Sequence, residues 1–317
     1  MQHRRITLVI SLLTSLLISA TSHAAPNVVT SIKPIDDLVR AVMDGIGEPT
    51  RLIPPGSSPH TYALKPSERQ AAEKADIFIW IGPSVETSLE KVTQVLPKDT
   101  EVLTLSKQPD MLLLPARTGG DWERKPRANP HHHDSHADEH NHDATLDGHI
   151  WLAPANAEVI VRSTAETLSQ RDPEHAKQYQ ANAEKALQRL NTLDQQLKTE
   201  LAPVQNKPFI VFHDAYHYFE HSYDLQAAGS IMVSADSMAS AKRVNEMRNK
   251  IKTLGVTCVF AEPQFEPKLV TTLVEGTNAR TGTLDPLGAN LPSGMEGYEQ
   301  LTQNLANNLL QCLQQEK

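Results

Sequence analysis

Hydrophobic and polar positions along the chain form short apolar runs separated by longer stretches with helical spacing. In the first half, apolar runs predict four strands, at 28–32, 51–53, 76–81 and 101–105. Helical patterns in this half cover 34–43, 67–75, a stretch after Ser84, and about 155–169. Ser67 and Ser84 stand where N-cap residues are expected. Strands that alternate with helices predict a parallel sheet with helices on its faces.

The same alternation returns in the second half of the chain. Apolar runs there predict four strands, at 209–212, 225–228, 256–261 and 280–284. One helical pattern begins at Ser240 and ends at Gly255. The last one carries an apolar stripe made of Tyr298, Leu301, Leu305, Leu309 and Cys312. The predicted fold class is therefore α/β, with two lobes that each contain a mostly parallel sheet flanked by helices.

A long helical pattern separates the two halves. The Asp172-Pro173-Glu174 motif is a helix start signal, and apolar residues then recur every three or four positions up to Leu201. At about 1.5 Å per residue this helix is roughly 40 Å long, the width of a small domain. We expect one rigid helix that joins the two lobes. The predicted division is an N-terminal lobe at 25–171, the joining helix at 172–202 and a C-terminal lobe at 203–317.

The N-terminus has the pattern of a secretory signal peptide. Arg4 and Arg5 precede an apolar core at 6–20, and small residues follow up to Ala24. The core is too short for a good membrane span, so we expect residues 1–24 to be cleaved and the mature chain to be exported without membrane insertion. Cleavage removes two arginines and no acid, which changes the formal charge from −8 to −10. This charge argues against nucleic-acid binding.

The chain has two cysteines, Cys258 and Cys312. In an oxidising compartment a single bridge between them is the default expectation. Cys258 lies on a predicted core strand, and Cys312 lies on the apolar stripe of the last predicted helix. We therefore predict a disulfide that ties the end of the chain to the second sheet.

Hydrophobic periodicity stops between 119 and 147, where histidines are interleaved with acidic residues. Such a segment cannot bury enough apolar surface to order itself, so a mobile loop is predicted. It should bind zinc weakly, because a chelate must first order the flexible chain. The histidines concerned are His131, His132, His133, His136, His140 and His142.

Three histidines and one aspartate stand near the ends of predicted strands or in the loops beside them: His60, His149, His213 and Asp285. The carboxyl ends of parallel strands are where open α/β folds bind ligands. Three neutral imidazoles and one carboxylate suit a tetrahedral Zn²⁺ ion, whereas manganese or calcium would require more carboxylates. These four residues, two from each predicted lobe, are therefore candidate ligands for a zinc ion.

Other interpretations of these histidines remain open at this point. A single histidine on a loop is more often simply solvated. His217 and His221 follow His213 at intervals of four, a spacing that places imidazoles on one helix face. If Asp214 caps the following helix, however, His213 lies outside it, and His217 and His221 are more naturally exposed helix residues.

Five motifs together resemble a known family. They are Gly56 to Tyr62 (GSSPHTY), His149 to Leu152 (HIWL), Val211 to Tyr216 (VFHDAY), Val259 to Phe265 (VFAEPQF) and Thr283 to Gly288 (TLDPLG). The chain resembles the periplasmic zinc-binding proteins of high-affinity zinc ABC importers, within the metal-specific cluster 9 solute-binding family. The likeness spans the mature chain in the family's order. It implies two lobes joined by a long helix, with one metal ion held between them.

The resemblance also implies a ligand set. Carried over residue by residue, it gives His60, His149 and His213, with Asp285 at the position of the family's fourth ligand. Some zinc-binding relatives have an acid directly before the first histidine, where this chain has Pro59. Asp285 or a water molecule is therefore the expected fourth ligand.

The function implied by the resemblance is capture of Zn²⁺ in the periplasm and its delivery to a membrane ABC permease. We expect a monomer that carries out no chemical step. One alternative is a secreted zinc hydrolase, for which Glu262 could act as a base, but the chain has no HExxH motif. Another is manganese delivery or adhesion, against which the three histidines and the lack of a lipid-attachment cysteine argue.

Overall fold

The structure is a computed structural model that describes residues 24–117, 122, 146–232, 241–266 and 268–314. Residues 1–23 of the predicted signal peptide lie outside the described residues. So do the six histidines of the predicted metal-binding loop, His131, His132, His133, His136, His140 and His142. The predictions for the signal peptide and for these histidines therefore stay predictions. At the end of the predicted loop, however, Leu146 pairs with Pro115 and Asp147 is buried, so a mobile segment that extends to 147 is wrong.

The described strands form two four-stranded sheets. The first contains β1 (Val28–Thr30), β2 (Thr50–Arg51), β3 (Ile77–Trp80) and β4 (Glu101–Thr104). The second contains β5 (Phe209–Val211), β6 (Ala227–Ser230), β7 (Cys258–Ala261) and β8 (Arg280–Thr283). Every neighbouring pair is parallel, and the strand orders are β2-β1-β3-β4 and β6-β5-β7-β8. The two sheets thus share one topology, and the predicted α/β class is confirmed.

Helices cover these sheets. The described ranges contain α1 (Lys33–Met43), α2 (Pro66–Glu73), α3 (Thr87–Thr93), α4 (Pro154–Arg171), α5 (Ala176–Leu201), α6 (His217–Tyr223), α7 (Ala241–Leu254), α8 (Lys268–Val274) and α9 (Met295–Leu313). The short helix α8 has no counterpart among the predicted elements. Among the described helices, none combines the length and the apolar character that crossing a membrane requires.

Two helices of the first half do not begin where their predicted N-cap serines lie: α2 begins earlier and α3 begins later. Pro66 is the first residue of α2, so Ser67 lies inside the helix and does not cap it. α3 begins at Thr87, three residues after Ser84. The residues before α3 form a turn in which the carboxylate of Glu86 accepts hydrogen bonds from the amides of Ile81 and Gly82. This turn, closed by the Glu86 side chain, takes the place of the predicted cap at Ser84.

The start of α5 also differs from the prediction. Asp172 follows the last residue of α4, and α5 begins four residues later at Ala176. The Asp172 carboxylate accepts hydrogen bonds from His175 Nδ1 at 2.7 Å and from the Tyr179 hydroxyl at 2.9 Å. It therefore stabilises the junction of the two helices through side chains and does not cap α5.

The long helix α5 is present as predicted and has 26 residues. It packs against α1 and α4 from the first half of the chain and against α9 from the second. The stripe that makes these contacts is buried and consists of Tyr179, Ala183, Ala186, Leu190, Leu193, Leu197 and Leu201. A single hydrophobic core therefore runs from the first sheet along α5 to the second sheet.

The predicted disulfide is present. Cys258 of β7 is bonded to Cys312 of α9, with Cα atoms 6.0 Å apart and a sequence separation of 54. Both cysteines are buried. The bridge fixes the last helix to a central strand of the second sheet.

Candidate metal centre

Local structure places two histidines after strands and a third at a 3-10 turn. His60 lies in a turn after β2, which is closed by hydrogen bonds from the amides of Thr61 and Tyr62 to the carbonyl of Ser58. His149 directly precedes a 3-10 turn at Ile150–Leu152. His213 directly follows β5. Two of the three histidines thus come from the first half of the chain and one from the second.

The three imidazoles converge on a single point. Their ligand atoms all lie within 4.8 Å of one another. The Nε2 atoms of His60 and His149 are 3.2 Å apart, and those of His149 and His213 are 3.4 Å apart. A tetrahedral Zn²⁺ ion with nitrogen ligands at about 2.0–2.1 Å requires neighbouring nitrogens about 3.3 Å apart. The spacing of the nitrogens therefore fits zinc.

Two carboxylates stand behind these imidazoles. Asp147 Oδ1 lies 2.6 Å from His149 Nδ1, and Glu262 Oε1 lies 2.6 Å from His213 Nδ1. All four residues are buried. A carboxylate that accepts the Nδ1 proton fixes the tautomer, so Nε2 keeps its lone pair for a metal ion.

Sequence analysis does not identify Asp147, and it indicates Glu262 only as a buried acid or a possible base. The available signal for Asp147 was its position two residues before His149. A metal-binding histidine usually has a carboxylate or carbonyl on its second nitrogen, so a nearby acid is the residue to look for.

The charges of this cluster depend on each other. Burial acts to raise the pKa of Asp147, but the charge and hydrogen bond of His149 outweigh it and hold that pKa well below its usual range. Burial acts to lower the pKa of His213, whereas the adjacent Glu262 carboxylate raises it, and the net shift is upward. The low pKa of Asp147 keeps this carboxylate ionised, and the raised pKa of His213 reflects the negative charge beside it. A bound cation would replace protons at the imidazoles.

Asp285 makes other contacts in this conformation. Its Oδ1 accepts hydrogen bonds from Gln264 Nε2 at 2.7 Å and from the Leu287 amide at 3.0 Å, and its Oδ2 accepts one from the Ala289 amide at 3.0 Å. Among the described residues, the group of converging ligand atoms consists of the three histidines and does not include Asp285. Its role as the fourth ligand stays a prediction.

The alternative pair on α6 is also absent from the converging group. His217 is half-buried, with Nδ1 3.7 Å from Asp147 Oδ2, and His221 is exposed. The predicted cap at Asp214 is wrong, because Tyr216 occupies the position before α6. Asp214 instead forms an ion pair with Arg117. His213 nonetheless lies outside the helix.

Comparison of the sequence with known families agrees with this geometry. The family described as "Zinc-uptake complex component A periplasmic" (ZnuA) matches residues 28–312. The chain is 45% identical to the "High-affinity zinc uptake system protein ZnuA" of Brucella abortus (strain 2308), with 90% of this chain and 91% of the relative covered. The protein of the same name from Yersinia pestis is 35% identical, with 94% of each chain covered.

Solved structures share the fold. The structure described as "Crystal structure of 138-173 ZnuA deletion mutant plus zinc bound" has a TM-score of 0.75 at 23% identity, and covers 92% of this chain and 100% of its own. The periplasmic zinc binding protein TroA from Treponema pallidum has a TM-score of 0.75 at 22% identity, with 91% and 99% covered. The paired parallel sheets and the long helix are thus an established architecture.

Proposed function

Because the chain belongs to the ZnuA family of zinc-uptake components, we propose that it is a periplasmic binding protein that captures Zn²⁺ and delivers it to an ABC permease. The observation that carries this proposal is the convergence of three imidazoles within 4.8 Å, with the Nε2 atom of His149 at the spacing that zinc requires from those of His60 and His213. Zinc is the cargo of the protein, and no bond of a substrate is made or broken.

We assign His60, His149 and His213 as zinc ligands through Nε2, with Asp147 and Glu262 orienting two of them. Asp285 is proposed for the fourth position, directly or through a water molecule. Direct coordination would use Asp285 Oδ2, which accepts one hydrogen bond and has a second lone pair. Coordination through water would leave the hydrogen bonds of Asp285 in place.

We propose the following division of the chain: a signal peptide at 1–24, an N-terminal lobe at 25–171, a joining helix within 172–202 and a C-terminal lobe at 203–317. The two sheets of equal topology support it, since each is built from one half of the chain. The zinc ion would then lie between the lobes, bound to histidines from both.

A secreted zinc hydrolase is the rival function. A hydrolase requires a base that can reach a zinc-bound water. Glu262, which was the candidate base, already accepts the Nδ1 proton of His213. This contact favours a role for Glu262 in orienting a ligand. Delivery of manganese is disfavoured because imidazole nitrogens suit zinc better.

Zinc titration of the purified protein tests the proposal. Chelator competition should give one tight site, and His60→Ala, His149→Ala and His213→Ala should each weaken it by orders of magnitude. The circular dichroism spectrum of each variant should match that of the wild type. Unchanged affinity in any one variant would remove that histidine from the site, and peptidase or esterase turnover with zinc present would favour the hydrolase.

A further inference from the structure

Arg117 joins two acidic residues near the site. Its Nε donates to both Asp214 oxygens at 3.1 Å, and Nη2 also donates to Asp214. Nη1 and Nη2 donate to the two Glu220 oxygens at 2.9 and 2.8 Å. A guanidinium that forms a fork with each of two carboxylates is geometrically well defined, because its donors are planar and fixed. Trp122 covers it, with the ring centroid 3.5 Å from the guanidinium carbon.

Both acids belong to the part of the chain that carries His213. Asp214 directly follows this histidine. Glu220 lies in α6, is 5% exposed on its side chain, and also accepts a hydrogen bond from the Ala227 amide of β6 at 3.1 Å. Arg117 therefore holds the His213 segment to α6 and, through Glu220, to an edge of the second sheet.

The segment before Arg117 is bonded to the residues that carry His149. Pro115 forms an antiparallel bridge with Leu146, and the Asp147 amide donates to the Leu114 carbonyl at 3.0 Å. The hydroxyl of Tyr218 donates to the Asp147 carbonyl at 2.7 Å and accepts the Leu114 amide at 2.9 Å. The stretch from Leu114 to Arg117 thus contacts both sides of the site. Leu114 is bonded to Asp147, the acid that orients His149, and Arg117 is bonded to Asp214, the residue after His213.

We propose that Arg117 is a positioning residue for zinc: its bridge between Asp214 and Glu220 sets the distance between His149 and His213. The proposal rests on the proposed function. Its physical basis is that the two Nε2 atoms are 3.4 Å apart, close to the spacing that tetrahedral zinc requires, while their segments come from different halves of the chain. Arg117 links these segments by ion pairs, beside the hydrogen bonds that Tyr218 makes to Asp147 and Leu114.

Arg117→Met tests the proposal, because methionine keeps most of the apolar stem and removes the fork. Zinc affinity, measured by chelator competition, should fall by about tenfold, the lower end of the range for groups that act through a ligand's partners. The matched control is Arg189→Met. Arg189 also forms a two-pronged pair, with Glu299 at 2.7 and 2.5 Å, and joins α5 to α9. The Arg189→Met variant should be less stable than the wild type and keep the wild-type zinc affinity.

The visible absorption of bound Co²⁺ separates positioning from general loosening. The bands should shift in Arg117→Met and stay unchanged in Arg189→Met, because they report the geometry of the ligands. Arg117→Lys should recover part of the affinity, since one ammonium keeps the charge and cannot form both forks. If Arg117→Met does not fold, Asp214→Asn removes one fork and should weaken zinc binding in the same direction.

The outcomes are distinct. Wild-type affinity in both Arg117→Met and Asp214→Asn overturns the proposal, and so does an equal loss in Arg189→Met. A wild-type protein that binds no zinc, or a His213→Ala variant that binds it normally, would instead show that the proposed function is wrong.

Discussion

At the scale of single residues, the carboxylates on the Nδ1 atoms decide how well the imidazoles bind a cation. Asp147→Asn and Glu262→Gln keep an oxygen near the ring nitrogen and remove the charge that increases its basicity. We expect each substitution to weaken zinc binding by about 10- to 100-fold. Isothermal titration or chelator competition measures the change.

The chain offers a matched control for this prediction. Asp172 makes a similar contact, 2.7 Å to His175 Nδ1, and that histidine is not in the converging group. Asp172→Asn should therefore leave zinc affinity unchanged. If Asp147→Asn and Glu262→Gln also left zinc affinity unchanged, the charges of the two carboxylates would not contribute to zinc binding.

Glu86 is a buried acid outside the metal centre. Burial raises its pKa to about 7, although hydrogen bonds from the Gly82 and Ile81 amides act to lower it. The folded protein thus retains a proton that the unfolded chain releases above its ordinary pKa of 4.5. The stability from this group is present below that value and is lost as pH rises to about 7.

Urea unfolding of the metal-free protein at pH 5 and pH 8 measures this effect. Glu86→Gln should reduce the pH-dependent loss in the free energy of unfolding by roughly 3 kcal/mol relative to the wild type. Glu90→Gln, an exposed position on α3, should behave as the wild type. Equal pH dependence in Glu86→Gln and the wild type would mean that Glu86 is already ionised at pH 5.

His60 and His213 follow β2 and β5, as the sequence predicts, and the carboxyl ends of parallel strands lie at one edge of a sheet. His149 is not at the end of a described strand and precedes a 3-10 turn instead. Asp214 was assigned wrongly for a different reason. Its local signal favoured a helix cap, whereas its partner Arg117 is 97 positions away in sequence. Long-range ion pairs leave no periodic pattern, so the sequence alone does not reveal them.

At the scale of helices and strands, hydrophobic periodicity was the reliable signal and capping was not. The apolar stripe of α5 was predicted residue by residue up to Leu201. Ser67, Ser84 and Asp172 all lie near helix starts and cap none of them. A stripe reflects burial of a whole face, whereas a cap contributes only about 1 kcal/mol and yields to other hydrogen bonds.

The disulfide between β7 and α9 supports the largest stability prediction. Replacing Cys258 and Cys312 together by serine should lower the free energy of unfolding by about 4 kcal/mol, because the unfolded chain gains the entropy of an open loop. Urea unfolding of the variant beside the oxidised wild type measures the difference. Detection of two free thiols in the unfolded, unreduced wild type would show that the bridge does not form in solution.

At the scale of the whole molecule, hydrogen bonds join the two halves beside the site. Trp151 Nε1 donates to the Pro286 carbonyl at 2.8 Å, and the Tyr298 hydroxyl donates to the Trp151 carbonyl at 2.6 Å. Lys33 Nζ donates to the Pro292 carbonyl at 2.6 Å. The sequence indicated two lobes because the strand and helix pattern occurs twice. It did not indicate these contacts, since each pairs residues more than a hundred positions apart.

The histidine-rich segment leads to a prediction for the whole protein. Deletion of residues 120–145 should remove a second, weaker zinc-binding event and leave the tight one, since the three converging histidines lie outside the deleted range. Calorimetry resolves the two events. The weak event should also fade as pH falls through the histidine range, because protons compete for the imidazoles. Loss of the tight event would place the main site in the deleted segment.

Trp151 gives the protein a built-in optical reporter. Its indole is fully buried, its ring centroid lies 5.3 Å from that of His149, and its Nε1 is bonded to the other half of the chain. Indole fluorescence responds to nearby charge and polarity, so arrival of a cation at His149 should change the emission of Trp151. The two other tryptophans, Trp80 and Trp122, pack against Thr104 and Arg117 and make no recorded ring contact with the three histidines among the described residues. Cation uptake and release can therefore be followed in real time on the unlabelled protein.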